Sequence, residues 1–252
     1  MSTDAHPNSP DGLGFEVFRK RAGDAVLSPI EKVGFPESYR RDKEGLIVED
    51  IVRKLPCLNE QGKVVIDIGP GCSEVAQRLV RLCHEHRHAL TLVDSTEMLD
   101  QLPAGNDVRK IAGRFPYDNV DLASLRHIAD AVVCYSVLHY EFSDGNAFQF
   151  VDAAMDLLKP GGALLLGDIP NVSMRKRFLA SAAGRTFHHQ LMQVDADPEV
   201  HFNVPEPFRI DDAVVIGLLL RARAAGFHAF VLPQDSALPM ASRREDLLIR
   251  RP

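Results

Sequence analysis

The chain has 252 residues, 45% of them hydrophobic, enough to bury one good-sized core and in keeping with a single α/β domain. Its formal net charge of −6 argues against a sequence-independent nucleic-acid binder, which needs lysine and arginine to displace counterions, but not against a neutral or cationic small molecule. Four cysteines, at 57, 72, 83 and 134, show no Cys-x-x-Cys spacing and read as reduced thiols, which disfavours both a metal cluster and a disulfide scaffold.

The segment from Met1 to Gly14 is polar and lacks the apolar core of a secretion signal; its first dozen residues, rich in Pro, Ser, Asp and Gly, read as disordered. No apolar run approaches the ~20 residues that a membrane span requires, so a soluble, cytoplasmic protein without a membrane partner is expected. Phe35-Pro-Glu-Ser-Tyr39-Arg40-Arg41-Asp42 is aromatic and charged with no clear period. After it, Leu46, Ile47, Ile51, Val52 and Leu55 recur at helical spacing and predict a helix over 44–55. From Lys63 onward short apolar runs alternate with helical segments, the pattern of a parallel sheet covered on both faces. Strands are expected at 64–68, 90–94, 108–112, 130–135, 162–167, 227–232 and 246–250. Helices are expected at 73–87, about 96–101, 121–127, 146–158 and 211–225. Residues 169–210 break the alternation, and a connection this long inside a compact domain reads as a lid or binding element over the substrate. The domain reading is an N-terminal helical extension and substrate-side cap at 1–60, then a catalytic domain at 61–252 with an insertion at about 169–210.

The most informative stretch is Val64-Val-Ile-Asp-Ile-Gly-Pro-Gly-Cys-Ser-Glu74. A strand ending in Asp67 runs into a turn whose glycines, Gly69 and Gly71, let a ligand lie against the backbone and leave the next helix's first amides free. A second apolar run, Ala89-Leu-Thr-Leu-Val93, ends in Asp94, 27 positions after Asp67, and a carboxylate there suits the paired hydroxyls of a ribose. Together these describe a nucleoside pocket. A dinucleotide fold wants a third small residue where this chain has Glu74, and a carboxylate facing a pyrophosphate is electrostatically wrong. A cationic sulfonium with an amino-acid tail tolerates such acids.

The chain resembles the class I S-adenosylmethionine-dependent methyltransferases over about residues 60 to 250. The resemblance rests on four pieces in order: Asp67-Ile-Gly-Pro-Gly71; Leu92-Val-Asp94 with Met98 close behind; Asp130-Ala-Val-Val-Cys-Tyr-Ser-Val-Leu-His-Tyr140; and Leu157-Leu-Lys-Pro-Gly-Gly-Ala-Leu-Leu-Leu-Gly-Asp168. It implies a Rossmann-like seven-stranded, mostly parallel sheet of order 3-2-1-4-5-7-6 with helices on both faces. It implies S-adenosyl-L-methionine as cofactor and S-adenosyl-L-homocysteine as product, with Asp67 helping to anchor the cofactor's amino-acid end. The cofactor set expected from these pieces is Asp67, Gly69, Pro70, Gly71, Asp94, Ser95, Met98, Gly113, Arg114, Tyr135 and Ser136. The family often places an acid or amide at the third-strand tip for the adenine amino group; here Ala112-Gly-Arg-Phe-Pro116 has none, leaving backbone groups, Asp118 or Asn119.

Methyl transfer is an in-line displacement in which alignment matters most, and an alcohol acceptor also benefits from a base. His139, at the end of the fourth strand, is a candidate general base, since a neutral imidazole is available near pH 7; the alternative is that it braces the helix or touches the cofactor without moving a proton. Asp168 at the fifth-strand tip is a second candidate, to orient the acceptor or take its proton, and His188 in the insertion a third. The adjacent pair His188 and His189 diverges in either a strand or a helix, and no metal site is expected from it, with or without His201. Arg175, Lys176 and Arg177 suit either an anionic group such as a nucleotide phosphate or a solvated face. The chain lacks the Asn/Asp-Pro-Pro-Tyr sequence of enzymes that methylate exocyclic amines, which favours a small-molecule acceptor. Gly167-Asp-Ile-Pro-Asn-Val-Ser173 looks like methyltransferases of bacterial surface-glycan gene sets, so the expected activity is O-methylation of a sugar or nucleotide sugar in polysaccharide biosynthesis. The alternative is a non-catalytic module that binds the cofactor or its demethylated product and docks a partner; hydride transfer with a nicotinamide is disfavoured by Glu74. A homodimer is compatible with either activity.

Overall fold

The computed structural model describes residues 14–36, 40–118 and 121–252; the expectations for the first dozen residues, for Tyr39 and for Asn119 lie outside them. Seven strands, β1 (Val64–Ile68), β2 (Ala89–Asp94), β3 (Val108–Ala112), β4 (Ala129–Tyr135), β5 (Leu158–Pro170), β6 (His228–Pro233) and β7 (Arg244–Arg250), form one sheet of order 3-2-1-4-5-7-6. Strands β3, β2, β1, β4 and β5 pair in parallel, and β7 runs antiparallel between β5 and β6. This is the expected Rossmann-like architecture.

The period-2 alternation of the strands sorts their side chains into two cores. On one face Val65, Leu90, Leu92, Val133 and Leu165 pack under α3 (Glu44–Lys54) and α4 (Glu74–Glu85). On the other, Ile66, Ile68, Val132, Cys134, Leu164 and Leu166 pack under α7 (Ala147–Asp156) and α10 (Asp212–Ala224). Burial on both faces is why these runs read as continuously apolar. The consequence for function is geometric: all the parallel strands end on one edge, where the polar residues of their tips collect.

Shorter helices surround that edge. Two precede the sheet: α1 (Phe15–Ala22) and α2 (Pro29–Lys32), the latter started by a capping box between Ser28 and Glu31. Two more follow strand tips: α5 (Thr96–Leu99) after β2 and α6 (Leu138–Asp144) after β4. The region read as irregular after β5 contains α8 (Val172–Ala180), whose start is capped by the Asn171 side chain, and α9 (Ala182–Met192). The helix expected over 121–127 is instead a single 3-10 turn, Leu122–Ser124. Strand β5 begins earlier than expected, pairing Leu158 with Ala129 and continuing past an irregularity through the Lys-Pro-Gly-Gly segment. No helix among the described residues is long and apolar enough to cross a membrane.

Candidate functional site

A cavity opens at the carboxyl ends of β1, β2 and β4. Strand β1 brings Asp67 to its floor, and the Gly69-Pro70-Gly71 turn forms one wall. Both glycines take the left-handed backbone, with φ of 70° and 64°, which costs a side-chain-bearing residue about 1–2 kcal/mol. A Cβ on Gly71 would also come within 2.5 Å of Val33 Cγ1, and one on Gly69 within 2.6 Å of Val137 Cγ2. The turn therefore needs glycine both for its backbone path and for its neighbours. Ser73, buried in the wall, precedes α4 without a side-chain cap on the helix, so its leading amides remain available to a ligand.

Charge is the informative property of this cavity. Burial, with the like charge of Asp94 nearby, raises the Asp67 carboxyl from its ordinary 3.8 to about 8. Burial likewise raises Asp94 to about 6, against hydrogen bonds from the Gly71 and Ser95 amides at 2.9 and 2.7 Å. Two buried acids thus face one hollow with no ion pair among the described residues, and a third, Glu141, lines it paired to Arg114. Such a hollow suits a cation, whose charge favours the ionised form of both acids. Glu74 turns out not to be part of this reasoning: it lies on the helix surface with Arg78 and Arg81 at 3.1 and 2.6 Å, away from the cavity. The case against a dinucleotide rests instead on the buried acid Asp67 beside the turn, since an acid in the place of Asp94 holds a ribose in either kind of cofactor.

Of the remaining expected cofactor residues, Pro70, Met98, Tyr135 and Ser136 line the cavity, with Met98 also packed against Ala22 and Cys72. The structure does not bring Ser95, Gly113 or Arg114 there. The Ser95 hydroxyl caps α5 by accepting from the Met98 amide, and the Gly113 amide donates to the Asp94 carbonyl. Arg114 forms a two-pronged pair with Glu141 at 3.1 and 3.2 Å, because α6 presents that buried carboxylate to it. Asp118, one of the adenine candidates, accepts the Arg114 amide at 2.8 Å.

The sequence suggested a cap within residues 1–60 but not which side chains form it or which pocket they meet. Phe15, Phe18, Val33, Phe35 and Arg40, all before the first strand, line this cavity. Phe18 meets Tyr140 edge-on at 4.7 Å, joining α1 to α6 across the mouth. The N-terminal segment therefore covers the pocket of Asp67 and Asp94, rather than only a neighbouring substrate space. Phe35 stood in the aromatic segment without a period, and nothing in the sequence pointed to where Phe15 or Phe18 would pack.

The candidate bases fare differently. Asp168 lies at the tip of β5 with φ 60°, and Ser136 opposite has φ 62°, both strained for side-chain-bearing residues. Asp168 accepts hydrogen bonds from Ser136 Oγ, Arg40, Gln234 and Arg244. Burial pushes its carboxyl up, but the Arg244 and Arg40 guanidiniums outweigh that and hold it below the usual aspartate value. Arg40 in turn stacks on Phe35 at 3.5 Å. Asp168 is thus a structural anion that ties the lid to the sheet, and a poor proton acceptor.

His139 is recessed in a second cavity, whose wall it shares with Tyr140; Tyr140 lines the first cavity too. Burial and the positive charge of Arg244, Arg40 and Arg209 hold its imidazole down at about 3, and Nδ1 is buried without a hydrogen-bond partner. It is neutral at physiological pH and a weak base. His188 lines neither cavity; it sits on α9 beside His189, which bonds Asp197 at 3.0 Å. No group of three or more potential metal ligands occurs among the described residues. Of the basic run, only Arg175 lines the second cavity, while Lys176 bonds the Val204 carbonyl and Arg177 pairs with Asp212.

No protein-family model matches the chain, and no curated protein matches it either. Solved structures do resemble it in fold. A SAM-dependent methyltransferase from Aquifex aeolicus is 14% identical, with a TM-score of 0.53 over 89% of this chain and 98% of its own. The plantazolicin methyltransferase BpumL in complex with SAH is 13% identical, with a TM-score of 0.56 over 94% and 96%. The N-methyltransferase NodS from Bradyrhizobium japonicum, also with SAH, is 12% identical, with a TM-score of 0.55 over 94% and 98%. The fold is that of SAM-dependent methyltransferases.

Proposed function

We propose that the protein is an S-adenosylmethionine-dependent methyltransferase acting on a small molecule. The observation that carries this reading is the pair of buried acids without a cationic partner among the described residues, Asp67 and Asp94, beside the Gly69–Gly71 turn. The residues fit the cofactor: Asp67 would take the ammonium of its amino-acid end, Asp94 the ribose hydroxyls, and the leading amides of α4 its carboxylate. Met98 and the lid aromatics would enclose the rest. When bound, the cofactor supplies a methyl group already activated on a sulfonium.

The chain's own contribution is placement. Tyr140 stands in the wall of both cavities, so an acceptor in the second approaches the first at that residue. The acceptor atom would be aligned there to take the methyl group that the bound cofactor would supply, the sulfur keeping the electron pair of the broken carbon–sulfur bond. A proton on the acceptor atom then leaves to water or, weakly, to His139. Burial raises the Tyr140 phenol to about 12, which keeps it a proton donor. Phe15, Phe18 and Phe35 cover the first cavity, which limits water on the cofactor side and leaves the second cavity as the way out for the proton. A sugar or nucleotide sugar is the acceptor proposed from the segment after β5. The test is turnover of labelled cofactor with a panel of sugars, nucleotide sugars, catechols and amino acids; transfer to the sugar arms alone supports the reading, and transfer to catechols or amino acids without sugars refutes its sugar part. Stabilisation by a nicotinamide dinucleotide and not by S-adenosylhomocysteine would overturn the whole.

A further inference from the structure

Residues 206–209 form a turn at the rim of the second cavity, closed by the Arg209 amide donating to the Glu206 carbonyl at 3.2 Å. Pro207 sets its first corner. Phe208 takes the second with φ 61°, the left-handed backbone that such a corner ordinarily gives to glycine or asparagine. An aromatic residue is strained there, and the turn is pinned on both sides. Arg175 and Lys176 of α8 hold Glu206 at 2.7 and 3.3 Å, and the Ile210 carbonyl accepts the Val172 amide at 2.9 Å. Burial does not explain the choice of residue, since Phe208 is 48% exposed. Its place does: it lines the cavity with His139 and Tyr140, whose ring centres lie 3.9 Å apart. Two polar atoms of other lining positions, His139 Nδ1 and Arg175 Nε, are buried without a hydrogen-bond partner. The charges of Arg175 and Arg244 are by contrast already met, by Glu206 and Asp168. The hollow therefore offers ring surface and unmatched hydrogen-bonding atoms.

We infer that Phe208 is the specificity-determining residue of the acceptor site, a platform on which a planar ring of the acceptor stacks while the methylated atom reaches Tyr140. This rests on the methyl-transfer reading and narrows it: a nucleotide sugar carries such a ring in its base, and a free sugar has no flat face to offer. Stacking fixes the plane of the ligand without reading its identity, because every base has a π face. The ring's nitrogens and carbonyls then supply the partners that Arg175 Nε and His139 Nδ1 lack. An imidazole held neutral takes a partner of either kind at Nδ1, according to its tautomer.

The chain has no tryptophan, so Phe208→Trp places the protein's single indole at this rim. The test titrates that variant of the full chain, with S-adenosylhomocysteine present, with uridine, inosine, catechol and glucose, and follows its fluorescence. Phe230→Trp, at a half-exposed phenylalanine of β6 outside the cavity, is the control. At least one planar probe should quench the Phe208→Trp indole saturably and not that of Phe230→Trp, and glucose should quench neither. Phe208→Asn, which suits the left-handed corner, should weaken that probe tenfold or more by calorimetry. It should keep S-adenosylhomocysteine affinity within about twofold and melt no lower than the wild type, whereas loss of a ring that served packing alone would lower the melting temperature. No saturable quench by any planar probe while S-adenosylhomocysteine binds, or probe affinity unchanged in Phe208→Asn, overturns the inference. Binding of catechol without the nucleosides upholds the platform and removes the nucleotide sugar. Planar-probe binding that Phe208→Asn abolishes, in a protein that ignores S-adenosylhomocysteine, upholds the platform and removes the cofactor reading.

Discussion

Asp67 should make cofactor binding a proton-releasing event. In the free protein burial and Asp94 hold its carboxyl at about 8, so at pH 7 roughly one molecule in ten carries the charge. A ligand ammonium beside it favours the ionised form, and binding at pH 7 then releases close to one proton. Affinity for S-adenosylhomocysteine should rise by up to about tenfold per pH unit between pH 6.5 and 7.5 and level off above 8. Asp94, at about 6, is largely ionised across that window and contributes little to the slope. The assay is calorimetry in phosphate and Tris, whose ionisation enthalpies differ; the difference in apparent heat counts the protons. Asp67→Asn should remove both the slope and the buffer dependence. The same substitution has an opposite signature on the free protein. A carboxyl whose folded value is raised favours the fold fully only below its unfolded value near 4, and loses that contribution as pH climbs through about 8. Asp67→Asn should therefore stabilise the ligand-free protein at pH 8 by roughly 2–5 kcal/mol. Affinity that is flat from pH 6.5 to 8.5, with identical heats in both buffers, would refute the reasoning.

Other outcomes follow from the same geometry. Asp94→Ala should weaken S-adenosylhomocysteine by roughly 1–3 kcal/mol, measured by calorimetry, through two lost ribose hydrogen bonds. Gly71→Val should be worse, abolishing detectable binding and lowering the melting temperature, since its side chain meets Val33 and its φ of 64° disfavours a branched residue. Arg114→Met should cost about 2–4 kcal/mol of stability in urea, because it strands buried Glu141, yet leave S-adenosylhomocysteine affinity within about threefold. His139→Ala should lower turnover with cofactor affinity near normal, and the wild-type pH–rate profile should show no limb near 6.5, because that imidazole is already neutral far below it.

Much of the fold was written in local pattern. Apolar runs ending in Asp67 and Asp94, and the Lys-Pro-Gly-Gly turn before a buried run, placed five parallel strands within a residue or two at most ends. Elements whose order depends on tertiary contact were harder to read. Residues 121–127 carry apolar side chains at helical spacing but form only one 3-10 turn before β4. The segment at 169–210 lacked a period because α8 and α9 are short and present few buried residues. Within the site, acids at strand ends were legible because strand tips converge in any such sheet. Arg40 was not: its meaning lies in Asp168 and Ser136, residues 128 and 96 positions away. Arg114 was misleading for the converse reason, since its neighbours in sequence lie by the third-strand tip while its partner is Glu141 on α6.

The most direct measurement is a crystal structure grown with S-adenosylhomocysteine. The ribose hydroxyls should meet the Asp94 carboxylate, the amino group should lie by Asp67, and the sulfur should face Tyr140 at the join of the two cavities. Density for a phosphate-bridged coenzyme in that hollow, or a lid whose phenylalanines fill it and shut the ligand out, would contradict the assignment.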